Sequence, residues 1–231
     1  MSDIAANWAA VRQRVDAACR DAGRDPAEVS VLPVSKTFGA DVVKAALALG
    51  LHRFGENKVQ EIREKAAALA GETIDWVVIG HLQTNKAKDV ARLASEVQSL
   101  DRMELAEALQ RRLEVENRRL DILVQVKTAR EETKQGLPAE ELPDFLQRLR
   151  AFPHLRVQGL MTLATLSEDA SEVRACFRQL REWRDRCAAE GYELPRLSMG
   201  MSGDFPLAIA EGATEVRIGT AIFGSRSYVS K

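Results

Sequence analysis

Short apolar runs alternate with amphipathic stretches along the chain, and this alternation predicts the secondary structure. The first amphipathic stretch places Ile4, Trp8, Val11 and Val15 on one helical face, so we expect an N-terminal helix. Eight runs rich in Val, Ile and Leu then follow, and each is separated from the next by a stretch that is predicted to be helical. These predicted strands cover residues 29–36, 52–57, 75–80, 96–100, 121–127, 155–163, 196–201 and 215–220.

Strands that alternate with helices predict a parallel sheet, because parallel strands need long crossover connections and each crossover here is helical. Eight such units can close into a barrel. The length of 231 residues lies near the low end of the usual range for that fold. We therefore predict an α/β protein in which residues 1–231 form a single (β/α)8 TIM-barrel domain with an extra N-terminal helix.

The residues that act in such a barrel come from the C-terminal ends of its strands, so polar residues at those ends are the functional candidates. Lys36 directly follows the first apolar strand. An amine at the mouth of a barrel can be desolvated, lose its proton and form a Schiff base. The alternative is a solvated lysine at a strand end, as most lysines are.

The second and third strands also end in polar residues, namely Glu56, Asn57 and His81. Each of these side chains could orient a ligand, and each could simply hydrogen-bond neighbouring loops. For His81 the second interpretation is favoured, because buried polar groups usually satisfy one another.

The segments that end the last two strands favour a phosphate site, because TIM barrels often bind phosphate there. We expect Ser202 to open a short helix, with Gly203 letting an anion approach the backbone N–H groups. Gly219 and Thr220 could supply another N–H donor and a hydroxyl. The alternative is ordinary helix capping with a glycine turn, and a carboxylate at Asp204 would compete with a phosphate.

Arg217 lies inside the last apolar strand, so its guanidinium group needs a partner. That partner is either a buried carboxylate or a ligand. The cost of burying a charge applies to both cases, and the sequence leaves both open.

Composition and charge narrow the possible function classes. The 33 Lys and Arg residues are balanced by 34 Asp and Glu residues, which gives no electrostatic reason to expect a nucleic-acid or membrane partner. Three cysteines without paired spacing fit a reducing compartment, and three distant histidines lack the spacing of metal ligands. The N-terminus does not read as a signal peptide, and no apolar run has the length of a membrane span. We expect a cytoplasmic protein without a metal site.

Six segments occur together in an order typical of one protein family, at residues 34–36 (VSK), 54–57 (FGEN), 79–86 (IGHLQTNK), 159–161 (GLM), 197–202 (LSMGMS) and 216–226 (VRIGTAIFGSR). They span nearly the whole chain and closely resemble the pyridoxal phosphate homeostasis protein family. The resemblance implies a fold like the barrel domain of alanine racemase, standing alone, with pyridoxal 5′-phosphate (PLP) as its cofactor. It implies that Lys36 carries PLP as a covalent aldimine and that Ser202, Gly219 and Thr220 contact the phosphate.

The resemblance also implies that Arg217 faces the pyridine nitrogen and that Asn57 and Met199 line the ring pocket. A guanidinium group beside that nitrogen would disfavour its protonation, because two adjacent cations repel each other. The ring would then be a weak electron sink. Such a site holds the aldehyde reversibly but is poorly suited to carbanion chemistry.

Two functions remain from different classes. The first is a PLP carrier or buffer, not an enzyme, that maintains intracellular PLP and amino-acid pools. We expect this carrier to be a monomer, with apo forms of PLP-dependent enzymes as candidate recipients. The second is a weak racemase-like enzyme, which needs a second acid/base group opposite Lys36. The tyrosines, Tyr192 and Tyr228, do not follow a predicted strand, so the carrier is favoured. A barrel enzyme for a phosphorylated sugar would explain the phosphate site but not Lys36.

Overall fold

Parallel strands form a barrel in the computed structural model, which describes residues 3–131 and 135–224. Within those residues the barrel strands are β1 (Ser30–Pro33), β2 (Arg53–Glu56), β3 (Asp75–Val78), β4 (Ala94–Leu100), β5 (Leu120–Lys127), β7 (Leu155–Met161), β8 (Arg196–Ser198) and β9 (Glu215–Ile218). A short strand, β6 (Leu137–Pro138), pairs with β5 outside this path. The predicted parallel (β/α)8 barrel is confirmed.

The strands lie in the order β1-β9-β8-β7-β5-β4-β3-β2, and the two ends of this sheet meet at one narrow seam. An isolated parallel bridge joins Val34 to Gly55 there, and Ser35 N donates to Gly55 O at 3.1 Å. On the other side of β1, Val34 N donates to Ile218 O at 2.8 Å. The barrel is therefore closed by the residues that directly precede Lys36.

Helices follow the strands on the outside of the barrel, as a parallel sheet requires. Their bounds are α1 (Ile4–Asp21), α2 (Ala40–Leu47), α3 (Val59–Ala68), α4 (Ala87–Leu93), α5 (Met103–Glu116), α6 (Leu142–Leu149), α7 (Ala170–Ala189), α8 (Phe205–Ala210) and α9 (Thr220–Phe223). Among the described residues, none of these helices is long and apolar enough to span a bilayer.

The extra N-terminal helix, α1, is confirmed. Asp3 caps it by accepting a hydrogen bond from Ala6 N at 3.0 Å, and its apolar face is buried against the barrel's last helices, α8 and α9. Two polar contacts add to this packing. Asn7 Nδ2 donates to Ile222 O at 2.9 Å, and Arg24 Nη1, just after the helix, donates to Ala213 O at 2.7 Å.

The structure corrects the predicted ends of the last strands. β8 ends at Ser198, and the helix after it begins at Phe205, so Ser202 does not open that helix. Residues 201–204 form a turn instead, in which Phe205 N donates to Met201 O at 2.9 Å. Thr220 begins the short helix α9 and does not end a strand.

Four charged side chains and one amide fill one end of the barrel interior, in what we call the interior cluster: Arg53, Glu96, Gln98, Arg196 and Glu215. They come from β2, β4, β8 and β9, so they meet across the barrel. Arg53 and Arg196 each contact both glutamates, and Arg196 Nη1 lies 2.7 Å from Glu96 Oε2. Burial opposes ionisation of Glu215, but the guanidinium groups of Arg53 and Arg196 hold its pKa below the ordinary value.

Candidate functional site

A cavity of about 630 Å³ opens at the C-terminal ends of the strands, within the range of small-molecule sites. Segments that follow β1, β2, β3, β7, β8 and β9 all contribute to its wall. It brings together six of the seven residues that the sequence resemblance predicts as cofactor contacts: Lys36, Asn57, Ser202, Arg217, Gly219 and Thr220. The seventh, Met199, is fully buried outside that wall, so its contact with a ring stays a prediction.

Lys36 lies half-buried on the cavity wall, one residue after the barrel seam. Beside it, Glu56 is fully buried at the end of β2, where its Oε1 accepts hydrogen bonds from Lys65 Nζ at 2.6 Å and from Ser35 Oγ at 2.5 Å. Its other oxygen, Oε2, has no hydrogen-bond partner among the described residues. Burial raises the pKa of Glu56 to about 6, although the hydrogen bonds and charge of Lys65 act in the opposite direction.

Arg217 presents a buried guanidinium group to the cavity, with the residue only 4% exposed. Its Nη1 donates to Ser198 Oγ at 2.7 Å, and its Nη2 donates to Thr162 O at 2.8 Å. Burial lowers its pKa to about 10, while the carboxylates of Glu215 and Asp204 oppose that shift. The group therefore stays charged at neutral pH.

Ser198 connects Arg217 to the interior cluster. Its hydroxyl oxygen lies 2.7 Å from Gln98 Oε1 and 3.0 Å from Glu215 Oε1, so it can accept from Arg217 and donate to the cluster. The sequence left open whether Arg217 pairs with a carboxylate or contacts a ligand. The structure gives it neutral oxygen partners and a place in the cavity wall, which is compatible with a ligand contact.

The loops after β8 and β9 meet at the same cavity. Gly219 lies close to β1, because a Cβ atom there would stand 3.2 Å from Val34 O. Gly200 has a φ of 92°, and a Cβ atom on it would lie 2.6 Å from the Cβ of Ala208. Glycine therefore lets the loop after β8 pack against α8 and the loop after β9 pack against the end of β1, while Ser202, Gly203 and Thr220 line the cavity.

Asp204, which the sequence suggested would compete with an anion, has a structural role in the loop after β8. Its Oδ1 accepts a hydrogen bond from Met201 N at 2.5 Å, across the turn that precedes α8. The carboxylate is thus used to shape the loop, although it still lies on the cavity wall.

The interpretation of His81 as a satisfied buried group is wrong. Its side chain is 45% exposed and lines the cavity, and its Nδ1 stands 3.9 Å from Asp101 Oδ2, which is too long for a hydrogen bond. Tyr192 donates to Gln147 Oε1 at 3.2 Å and does not line the cavity, whereas Tyr228 lies outside the described residues.

Gln125 and Gln135 also line the cavity, and the sequence did not predict either of them. Gln125 lies 4% exposed in β5 and donates from Nε2 to Gln135 O at 2.8 Å, so the pair forms part of the wall. Arg217 was selected from the sequence because it is a polar residue inside an apolar strand. Gln125 has the same position in β5, so the same criterion would have identified it.

This chain matches a protein-family model, named proteins of similar sequence and solved structures. A family model described as "Alanine racemase, N-terminal domain" matches residues 1–227. Proteins named "Pyridoxal phosphate homeostasis protein" are 42% identical in Aquifex aeolicus, covering 94% of this chain and 96% of the relative, and 41% identical in Pseudomonas aeruginosa, covering 99% and 98%. The protein of that name from Escherichia coli is 36% identical and covers both chains fully, at 100% each.

Solved structures agree with these sequence matches. PipY of Synechococcus elongatus, with PLP bound, is 35% identical with a TM-score of 0.84, covering 96% of this chain and 100% of PipY. Alanine racemase of Clostridium difficile is 15% identical with a TM-score of 0.71, and the match covers 94% of this chain but 57% of the racemase. The second match concerns the fold alone.

Glu56 gives the site a testable pH dependence. Because its pKa is about 6 in the folded protein against an ordinary 4.5, the folded state binds a proton there more tightly than the unfolded chain does. The resulting stabilisation is complete below an ordinary glutamate pKa and is lost as the pH rises through the folded value, a change of about 2 kcal/mol at most. We expect the free energy of unfolding of the wild type, minus that of Glu56→Gln, to fall between pH 4.5 and 7 in urea titrations.

The matched control is Glu64→Gln, which removes an exposed carboxylate from α3 and should leave that difference flat with pH. A difference that rises with pH for Glu56→Gln would mean that Lys65 outweighs burial and depresses the pKa of Glu56.

Proposed function

This chain belongs to the pyridoxal phosphate homeostasis protein family, and on that basis we propose that it binds PLP and acts as a carrier or buffer of the cofactor. The observation that carries the proposal is the placement of Lys36 and of the loops after β8 and β9 on one cavity. An amine suits the aldehyde, while hydroxyls, backbone N–H groups and a buried guanidinium group suit the charged parts of the molecule.

The donors around the cavity fit PLP as a chemical set. Lys36 follows β1, and Ser202, Gly219 and Thr220 lie on the loops after β8 and β9, which are the two strands next to β1 in the sheet order. In the proposal, the Lys36 amine condenses with the aldehyde and releases one water, while the loop residues hold the phosphate. When bound, the cofactor supplies an electrophilic aldehyde and an aromatic ring that can accept electrons.

The properties of Arg217 favour a site that binds PLP over one that uses PLP in catalysis. Arg217 keeps its charge because its pKa remains about 10, and Ser198 and Thr162 fix its direction. If the guanidinium group faces the pyridine nitrogen, it disfavours protonation of that nitrogen and so weakens the ring as an electron sink. A carrier must bind the aldehyde, but it does not need a ring that accepts electrons well.

We also propose that the carrier is a cytoplasmic protein. Cys19, Cys176 and Cys187 are all free and buried, which fits the reducing cytoplasm. Residues of one chain form the cavity, so we propose that a monomer suffices for binding. Apo forms of PLP-dependent enzymes are the proposed recipients.

One observation favours the alternative of a weak racemase-like enzyme. His81 lies on the wall of the same cavity, and Asp101 is near enough to interact electrostatically with its ring. A histidine in that place could act as an acid/base group in addition to Lys36.

The first prediction concerns covalent binding. Lys36→Ala should leave a colourless protein with no borohydride-trapped PLP, because it removes the amine that we place at the aldehyde. The exposed Lys58→Ala is the control and should trap PLP as the wild type does. The measurement is absorbance before and after reduction, followed by peptide mapping. A wild-type adduct that maps to another lysine would contradict the assignment.

The second prediction separates the phosphate from the ring. Ser202→Ala combined with Thr220→Ala should weaken PLP binding on the order of 10- to 100-fold, because hydrogen bonds to a charged acceptor are lost. Binding of unphosphorylated pyridoxal should barely change, as measured by fluorescence titration of both ligands. An equal loss for the two ligands would place the phosphate elsewhere.

The third prediction tests the enzyme alternative. Incubation of the PLP-loaded protein with L-alanine in deuterated water should retain configuration, with slow deuterium uptake at most, because Lys36 serves a single face. Conversion to D-alanine at roughly one turnover per second or faster would fall in the ordinary enzymatic range and favour the enzyme. Loss of that conversion in His81→Ala would identify His81 as the second base.

A further inference from the structure

Two charged side chains of α3 hold the backbone on both sides of Lys36. Lys65 Nζ donates to Ser35 O at 2.8 Å, and Glu61 Oε2 accepts from Thr37 N at 2.6 Å. Ser35 O belongs to the peptide group before Lys36, and Thr37 N belongs to the peptide group after it. Both peptide planes that define the φ and ψ of Lys36 are therefore anchored to one helix.

The anchoring pair is built into the spacing of α3. Glu61 and Lys65 are four residues apart, so they lie on the same face of the helix, with Lys65 Nζ 3.4 Å from Glu61 Oε2. Lys65 is only 5% exposed, and its charge is matched by Glu56 at 2.6 Å. A buried ammonium group is costly unless it is paired and hydrogen-bonded. An apolar residue could fill this space, but it could not hold the Ser35 carbonyl.

The backbone that this pair holds is a strained one. Thr37 has a φ of 70°, in the left-handed region that β-branched residues rarely adopt. Such conformations persist where the surroundings over-determine them. The hydrogen bond from Thr37 N to Glu61 is the contact that fixes this peptide group on the α3 side.

We propose that Glu61 and Lys65 are positioning residues, which together fix the direction in which Lys36 leaves the backbone and so deliver its amine to the cavity. The proposal rests on the function proposed for Lys36 above. Without the pair, Thr37 can relax toward a right-handed conformation, and the Lys36 side chain then starts from a different direction. A misplacement of about 1 Å in a reacting group can slow a reaction about a hundredfold.

The test compares three variants of the full chain with a control on the same helix. Glu61→Gln weakens the acceptor of Thr37 N, and Lys65→Met removes the donor to Ser35 O at similar side-chain length. Thr37→Gly, added to Glu61→Gln, relieves the strain because glycine adopts a positive φ freely. Glu64→Gln changes an exposed neighbour that pairs with Gln60 and should behave as the wild type.

Two measurements use the protein without PLP. Hydrogen exchange of the Thr37 amide should accelerate in Glu61→Gln, because its acceptor is weakened. The rate at which acetic anhydride labels Lys36, relative to the exposed Lys58, should shift in Glu61→Gln and in Lys65→Met but not in Glu64→Gln. These results do not depend on cofactor binding, so they test the positioning of Lys36 even if the proposed function fails.

The remaining measurements use PLP and an analogue without the aldehyde, 4-deoxypyridoxine 5′-phosphate. Covalent capture of PLP, followed by stopped-flow absorbance, should slow about 10- to 100-fold in Glu61→Gln and Lys65→Met. Affinity for the analogue should stay within about twofold of the wild type, and Thr37→Gly should restore part of the lost rate to Glu61→Gln. A merely structural role would lower the unfolding temperature without separating these two ligands.

The proposal is overturned if Glu61→Gln folds, exchanges its Thr37 amide faster and still captures PLP at the wild-type rate. Equal slowing in Glu64→Gln would also overturn it. If Lys65→Met does not fold, the conservative Glu61→Gln variant and its Thr37→Gly rescue still decide the outcome. A wild type that captures PLP on another lysine would refute the assignment of the aldehyde to Lys36, whereas the labelling of Lys36 would still decide whether Glu61 and Lys65 position it.

Discussion

Closure of the barrel between β1 and β2 is the constraint on which the site depends. The seam consists of the bridge from Val34 to Gly55 and one further hydrogen bond at Ser35. A Cβ atom on Gly55 would stand 3.2–3.3 Å from the side chains of Leu32, Ile79 and Val34, so glycine allows this close approach. Because the strands end here, the same few residues bring Lys36, Asn57 and the loop at Gly219 to one cavity.

The charged side chains inside the barrel determine the charge beside that cavity. In the interior cluster, Glu96 and Glu215 are matched by Arg53 and Arg196, so the four charges balance. Arg217 adds a further positive charge, which reaches the cluster through Ser198 and not through a carboxylate. Buried charges persist when they are paired and hydrogen-bonded, and the four charged side chains of the interior cluster meet that requirement, whereas Arg217 is hydrogen-bonded to neutral oxygens. This arrangement leaves a fixed cation beside a cavity that we assign to an anionic molecule.

The sequence predicted the features that a local pattern can encode. Apolar runs predicted the strands, and a charge at the end of one run or inside another predicted Lys36 and Arg217. It did not predict that Glu61 and Lys65 contact the backbone around Lys36, because oppositely charged residues four positions apart on a helix usually indicate a solvent-exposed ion pair. The same holds for contacts across the barrel, such as the interior cluster, since periodicity shows that a side chain points inward but not which one it meets.

The packing of α1 against α8 and α9 has a consequence for how the protein is made. Asn7 donates a hydrogen bond to Ile222 across 215 positions of sequence, so α1 is completed by contacts with a helix that is synthesised much later. Contacts between such distant segments form late in folding, because a long loop must close first. The loops assigned to the phosphate precede the two helices that α1 supports. A chain synthesised only as far as β8 therefore lacks this end of the cavity, and we expect the proposed capture of the cofactor to require the segments through α9.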